Sequence, residues 1–192
     1  MKPEAVFLDR DGVINEEVDY LGNPEELFLL PGAASAIREL NQKGIKVIVV
    51  TNQSGVARGY FSEETVADIH QRLKYLLARE GAYLDAIYYC PHHPEAPLDQ
   101  YRKACACRKP GSAMLETAAH DFGLDLSHCY LVGDKMLDIE AGAAVNCRTI
   151  LVLTGYGEAE LKKEKTLYPD AVAKDLSQAV EMILSLLSSA AF

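Results

Sequence analysis

No apolar run in this sequence approaches the ~18 residues that cross a bilayer, so a membrane span is not expected. Basic charge is also scarce. The formal net charge is −9, which argues against a nucleic-acid binder, since such proteins neutralise phosphates with Lys and Arg. A small phosphorylated ligand stays open, because local donors and a bound metal can outweigh net charge. The start of the chain, Met1-Lys2-Pro3-Glu4, lacks the charged and apolar regions of a signal peptide, and a cytoplasmic, reducing setting is expected. The five cysteines are then read first as metal ligands or buried thiols rather than as disulfides. No internal repeat and no domain-length linker occurs. A single domain over residues 1–192, working as a monomer, is the expectation.

What is present alternates. Apolar runs at 5–8, 45–50, 86–89, 130–132 and 149–153 read as strands. Helical patterns at 33–43, 62–80, 113–122, 137–144, 158–165 and 176–187 separate or follow them. Gly44 suits a helix C-terminus, and Ser62 with Glu63 and Glu64 suits an N-terminus. Such alternation specifies an α/β fold, a doubly wound, Rossmann-like parallel sheet with helices on both faces. Residues 16–30 form a polar excursion after the first strand. Residues 91–110, rich in Pro, His and Cys, are too long for an ordinary connection.

The organising stretch is Ala5-Val6-Phe7-Leu8-Asp9-Arg10-Asp11-Gly12-Val13. In an extended chain residues i and i+2 point to the same side, so Asp9 and Asp11 can converge at the carboxyl end of the first strand. Two like charges placed together require a cation or strong donors, which points to a Mg²⁺ site. Further polar residues follow other strands: Thr51, Asn52, Gln53 and Ser54 after the second, Asp134 and Asp138 after the fourth. Asp9, Asp11 and Asp134 supply the hard oxygens that Mg²⁺ takes. The Thr51 hydroxyl and Lys109 ammonium suit phosphoryl oxygens.

These motifs resemble the haloacid dehalogenase-like (HAD) phosphohydrolase superfamily. D-x-D-G-[TV] is matched at Asp9 to Val13, the apolar strand ending in Thr at Thr51, the basic motif at Lys109, and the acidic motif at Asp134 and Asp138. Thr-Asn-Gln-Ser-Gly from Thr51, Cys-Pro-His-His from Cys90 and Cys-Arg-Lys-Pro from Cys107 look closer still to the heptose 1,7-bisphosphate 7-phosphatases. The histidinol-phosphate phosphatases are a near relative and the alternative substrate reading. The resemblance implies that Asp9 is the nucleophile, forming an aspartyl-phosphate, and that Asp11 is the general acid and base. It implies Mg²⁺ on Asp9, the Asp11 main-chain carbonyl and Asp134, with Asp138 orienting the site. Thr51 and Lys109 would stabilise the phosphoryl group. Asp19, Tyr20, Asn52, Gln53, Ser54, Arg108 and Lys135 would meet a small phosphosugar, Arg108 through its second phosphate. The product would serve nucleotide-activated heptose. No globular insertion interrupts the motifs, so a minimal cap made of loops is expected. Val13 in place of threonine, and Glu17-Val18 before Asp19-Tyr20, depart from the pattern.

The 91–110 segment and the residue before it hold Cys90, His92, His93, Cys105 and Cys107, enough for a tetrahedral zinc site with either histidine. The resemblance selects Cys90, His92, Cys105 and Cys107. Such a zinc would be structural, stapling a long loop and placing Arg108 and Lys109. Cys129 and Cys147 read as core residues, and His70, His120 and His128 as surface or packing residues. Of two non-enzyme readings, a non-catalytic phospholigand-binding module predicts loss of Asp9 or Asp11, both of which are present, and a zinc-bearing interaction protein leaves the aspartates without a purpose.

Overall fold

The structure, a computed structural model, describes residues 3–163 and 166–188. Its sheet is ordered around β1 (Ala5–Leu8), all four residues of which are buried. Val6 and Leu8 enter one hydrophobic cluster and Ala5 and Phe7 the other, as the two-residue period of a strand requires. β2 (Lys46–Asn52) and β4 (Tyr130–Gly133) flank it. β3 (Ala86–Cys90) lies outside β2, and β5 (Arg148–Val152) and β6 (Ala171–Ala173) continue beyond β4. The order is β3-β2-β1-β4-β5-β6 and every pairing is parallel.

Helices cover both faces, which is why the central strands are apolar without alternation. On one face lie α1 (Ala33–Gln42), α2 (Glu63–Arg79) and α6 (Leu176–Ser188). Their Ile37, Leu40, Ile69, Leu73, Leu77, Val180 and Ile183 pack with Val47 and Val49. On the other, α3 (Ala113–Phe122) and α4 (Met136–Ala144) set Met114, Leu115, Ala118 and Ala141 against Phe7, Ile48, Val50 and Leu131. Within α2 the buried Val66, Ile69, Leu73 and Leu77 repeat at helical spacing, and the Ser62 side chain accepts from the Thr65 N–H at 3.2 Å as N-cap.

Two elements differ from expectation. β2 runs past residue 50 because its ladder with β3 continues through Thr51 with Tyr89 and Asn52 with Cys90. β6 is unexpected: at three residues it carries no period of its own and forms by pairing with β5, pinned where Thr149 donates N–H and hydroxyl to Asp170. The charged helix expected over 158–165 appears as α5 (Gly157–Lys162), and residues 164 and 165 lie outside the described residues. Met1 and Lys2 of the start also lie outside them. Among the described residues no helix is long and apolar enough to cross a membrane.

The excursion over residues 16–30 is closed at its base by two backbone rungs. Glu16 N–H donates to Phe28 O at 3.0 Å and Leu30 N–H to Ile14 O at 2.9 Å. Asp9, Thr51, Asp134 and Thr154 all stand at the carboxyl ends of β1, β2, β4 and β5, the edge where open α/β sheets bind ligands.

Leu73 is completely buried at the centre of the α2 contact. Leu73→Ala is expected to lower the free energy of unfolding by about 2–5 kcal/mol, because the helix cannot close fully onto the void. Urea denaturation followed by far-UV circular dichroism measures it, and a loss under about 1 kcal/mol would contradict this account of the core.

Candidate active site

Three carboxylates meet beyond β1 and β4. Ligand oxygens of Asp9, Asp134 and Asp138 all lie within 4.8 Å of one another, and all three residues are buried. One ammonium answers them directly. Lys109 Nζ is 3.0 Å from Asp9 Oδ1 and 2.5 Å from Asp138 Oδ1, and it donates to Val50 O at 2.8 Å. Burial would lower the Lys109 pKa, but the charges of Asp138 and Asp9 outweigh it and hold the group above its ordinary value. Burial together with the Asp9 charge pushes Asp134 up to about 8. Asp138 rises to about 6 through burial, despite the Lys109 charge beside it. Asp134 Oδ2 accepts the Tyr156 N–H at 2.9 Å, whereas its buried Oδ1 has no hydrogen-bond partner. Three acids against one ammonium, with an unpartnered oxygen, are what a hard divalent cation would complete.

Local backbone makes that convergence possible. Gly12 has φ 79° and Gly155 φ 56°, the left-handed region that glycine tolerates. A Cβ at Gly12 would lie 2.4 Å from Asp134 Oδ2, and one at Gly155 would lie 2.3 Å from it. The turn after β1 and the turn after β5 can close on Asp134 only without side chains there.

Lys109 is delivered by the loop between β3 and α3. Asn52 grips its main chain from both sides: the Lys109 N–H donates to Asn52 Oδ1 at 3.0 Å, and Asn52 Nδ2 donates to Lys109 O at 3.1 Å. Asn52 borders the cavity, yet its amide is committed to this clamp. Thr51 also lines the cavity. Gln53 does not: expected to meet substrate, it is buried, with Nε2 donating to Asp11 Oδ2 at 3.0 Å and to Thr51 Oγ1 at 2.9 Å.

Asp11 is surrounded by donors. Arg10, wholly buried, donates Nη2 to Asp11 Oδ2 at 2.8 Å and Nε to Oδ1 at 3.0 Å, and Asn15 Nδ2 adds a bond at 2.9 Å. Burial would raise the Asp11 pKa, but the Arg10 charge and the Asn15 and Gln53 hydrogen bonds overcome it and hold the carboxyl below its usual value. Sequence reasoning overlooked Arg10 and Asn15, although an arginine between the two aspartates was a visible signal. His70 is a buried packing residue, its pKa pushed down to about 3 by burial and by the Arg10 charge.

The cavity measures about 240 Å³ and opens above the carboxylates. Ser54 and Arg108 line it, as do Glu17, Asp19, Tyr20, Lys135, Leu137 and Tyr156. Tyr156 and Leu137 had no signal in the sequence. Just beside the cavity, Cys90 Sγ, His92 Nδ1, Cys105 Sγ and Cys107 Sγ cluster within 4.8 Å of one another, a set suited to a soft, tetrahedral metal. His93 instead accepts the Glu95 N–H at 3.1 Å. Arg108 Nη1 donates to His92 O at 3.3 Å, so the cluster is tied directly to the cavity wall.

A HAD-hydrolase-like family model matches residues 106–179. The chain is 46% identical over 189 residues, 95% of its length, to the D-glycero-D-manno-heptose-1,7-bisphosphate 7-phosphatase of Thermosynechococcus vestitus, 96% of which is covered. It is 42% identical over 152 residues to the Escherichia coli K12 D-glycero-beta-D-manno-heptose-1,7-bisphosphate 7-phosphatase, covering 79% of this chain and 80% of that one. Among solved structures, the D,D-heptose 1,7-bisphosphate phosphatase of B. bronchiseptica, complexed with magnesium and phosphate, superposes with a TM-score of 0.87. Identity is 37%, and 97% of this chain and 99% of that chain are covered.

The raised Asp134 pKa has a thermodynamic consequence. A carboxyl bound to its proton more tightly folded than unfolded contributes stability that is full below the unfolded value of 3.8 and is lost as pH rises through about 8. Without divalent cations, the protein is expected to lose stability between pH 4 and pH 8 relative to Asp134→Asn, which keeps the shape but cannot ionise. Urea unfolding of both proteins across that range measures the difference, and parallel profiles would contradict it.

Proposed function

The chain belongs to the D-glycero-D-manno-heptose-1,7-bisphosphate 7-phosphatase family of HAD-like hydrolases, and from that premise we propose that it hydrolyses the 7-phosphate ester of this heptose bisphosphate and leaves the 1-phosphate. The observation that carries the reading is the buried group of Asp9, Lys109, Asp134 and Asp138 at the base of the cavity.

Asp9 attacks phosphorus through a carboxylate oxygen. The bond to the sugar oxygen breaks, leaving an aspartyl-phosphate. Lys109 and the Thr51 hydroxyl hold the phosphoryl oxygens, acting by position and charge. Asp11 gives a proton to the departing alkoxide and, as carboxylate, later takes one from the water that releases phosphate. Its hold by Arg10 favours the ionised form needed in that second step. For the first, the carboxylate must take up a proton from solvent as it turns from Arg10 toward the ester oxygen, and it passes that proton to the departing alkoxide.

Asp9, Asp134 and the Asp11 main-chain carbonyl would hold Mg²⁺, a role supported by the unpartnered Asp134 Oδ1 and by the excess of carboxylates. When bound, the ion neutralises charge on the nucleophile and the phosphoryl group. Asp138 keeps Lys109 in place and accepts the Lys135 N–H at 3.1 Å. Arg108 takes the second phosphate of the small phosphosugar. Cys90, His92, Cys105 and Cys107 would hold a structural Zn²⁺, which would fix the segment that leads into Arg108 and Lys109.

Magnesium-dependent phosphate release from both anomers of the heptose 1,7-bisphosphate, with histidinol phosphate alongside, tests the reading. One heptose anomer is expected to exceed histidinol phosphate at least about tenfold in kcat/KM, and the reverse order would overturn the substrate. Asp9→Asn is expected to lower kcat by about a thousandfold or more while circular dichroism stays that of the wild type. Stripping the thiolate-bound metal is expected to raise KM severalfold, and metal-free protein with wild-type kinetics would remove the role given to the cluster.

A further inference from the structure

Gln53 is buried beside two residues of the site, and both ends of its side-chain amide are engaged. Its Oε1 accepts from Arg10 Nη2 at 3.1 Å. Its Nε2 donates to Thr51 Oγ1 at 2.9 Å and to Asp11 Oδ2 at 3.0 Å. A guanidinium has no acceptor and an ionised carboxylate no donor, so the amide has one stable orientation. Turned over, it would set its NH₂ group against Arg10 and its oxygen against Asp11, two repulsive contacts away from water. Arg10 does not yield, because it is wholly buried and forked onto Asp11 through Nε at 3.0 Å and Nη2 at 2.8 Å. When the Asp11 carboxyl turns toward the ester oxygen, the Arg10 bond to Gln53 Oε1 still keeps the amide in place.

That fixed amide decides what the Thr51 hydroxyl can do. A hydroxyl has one proton to donate and lone pairs to accept with. Gln53 Nε2 can only donate, so Thr51 Oγ1 accepts from it and the Thr51 proton is left to point elsewhere. Among the described residues no second partner of Oγ1 is found. Thr51 lines the cavity with Asp9 and Lys109, and Gln53 does not. The end of β2 therefore carries a hydroxyl whose donor direction is set from its buried side. A donor oriented in advance needs no reorganisation when charge builds on the phosphoryl oxygens.

We propose that Gln53 is a positioning residue that points the single proton of the Thr51 hydroxyl at the phosphoryl group, with Arg10 fixing the sense of the Gln53 amide. Gln53 itself touches neither the substrate nor the metal. The inference rests on the phosphatase reading of the site, with Thr51 on the phosphoryl oxygens, and not on which ester is hydrolysed.

The test uses p-nitrophenyl phosphate, whose leaving group departs without a proton, so the acid role of Asp11 drops out. Orthovanadate, a mimic of five-coordinate phosphorus, reports binding separately from turnover. In Gln53→Met, which removes both donors at similar volume, kcat is expected to fall about tenfold and Ki for orthovanadate to rise about tenfold. Thr51→Val is expected to weaken orthovanadate at least as much. The double variant should be no worse than Thr51→Val, since Gln53 acts through that hydroxyl. Gln53→Glu keeps the shape and the Arg10 contact but turns an acceptor toward Thr51. It should weaken orthovanadate at least as much as Gln53→Met, and it carries the test if Gln53→Met does not fold. A folded Gln53 variant with wild-type kcat and wild-type orthovanadate affinity would overturn the proposal, as would losses of affinity that multiply in the double variant. A wild type that hydrolyses no phosphomonoester would remove the phosphatase reading and this inference with it. An active wild type matched by its Gln53 variants removes the role of Gln53 alone.

Discussion

The Lys109 ammonium, held between Asp9 and Asp138, is the contact on which the site depends. A buried lysine costs several kcal/mol unless its charge is answered, and so does each buried carboxylate. Here each settles the other's cost, and the remaining negative charge makes the place one for a cation. The fold supplies the geometry at little expense. Parallel strands end on one edge, and two glycines let two turns close on Asp134. The lysine comes from a long irregular loop, and the Asn52 clamp converts that loop into an extension of β2.

A division of labour follows from where each group sits. The residues placed in the chemistry lie at the ends of the central strands or, like Lys109, are clamped to one, and they are buried. The residues at the mouth, from Glu17 to Tyr20, belong to an excursion anchored in the core by Leu21 and Leu27, but are themselves held by hydrogen bonds and ring contacts at the surface. Burial is therefore greatest around the carboxylate cluster and least at the mouth of the cavity.

Much of this was legible in the sequence because its signals were local. The apolar run before Asp9, the Gly44 terminus and the Ser62 cap each announce an element from neighbouring residues, and α3 falls on the expected 113–122. The missed features are those decided by partners distant in sequence. β6 exists because β5 offers it an edge, and β2 extends to Asn52 because β3 continues beside it. Gln53 adjoins the cavity residues in sequence but turns inward because Asp11 and Thr51 accept its amide. Tyr156 could be found only by seeing the turn after β5 fold over Asp134.

The paired rungs that close the excursion, Glu16 with Phe28 and Ile14 with Leu30, bear on how such a protein can change. Everything between them is a loop whose two ends are already held together by the sheet side. Lengthening a closed loop costs little, about 0.6 kcal/mol for each doubling of its length. Leu21 and Leu27 are buried in the core, so new sequence could be inserted in the stretch between them, around Gly22 to Glu26, without disturbing β1 or the aspartates that follow it. The neck thus uncouples the length of that stretch from the strand that carries Asp9, so a change of length there leaves the carboxylates in place.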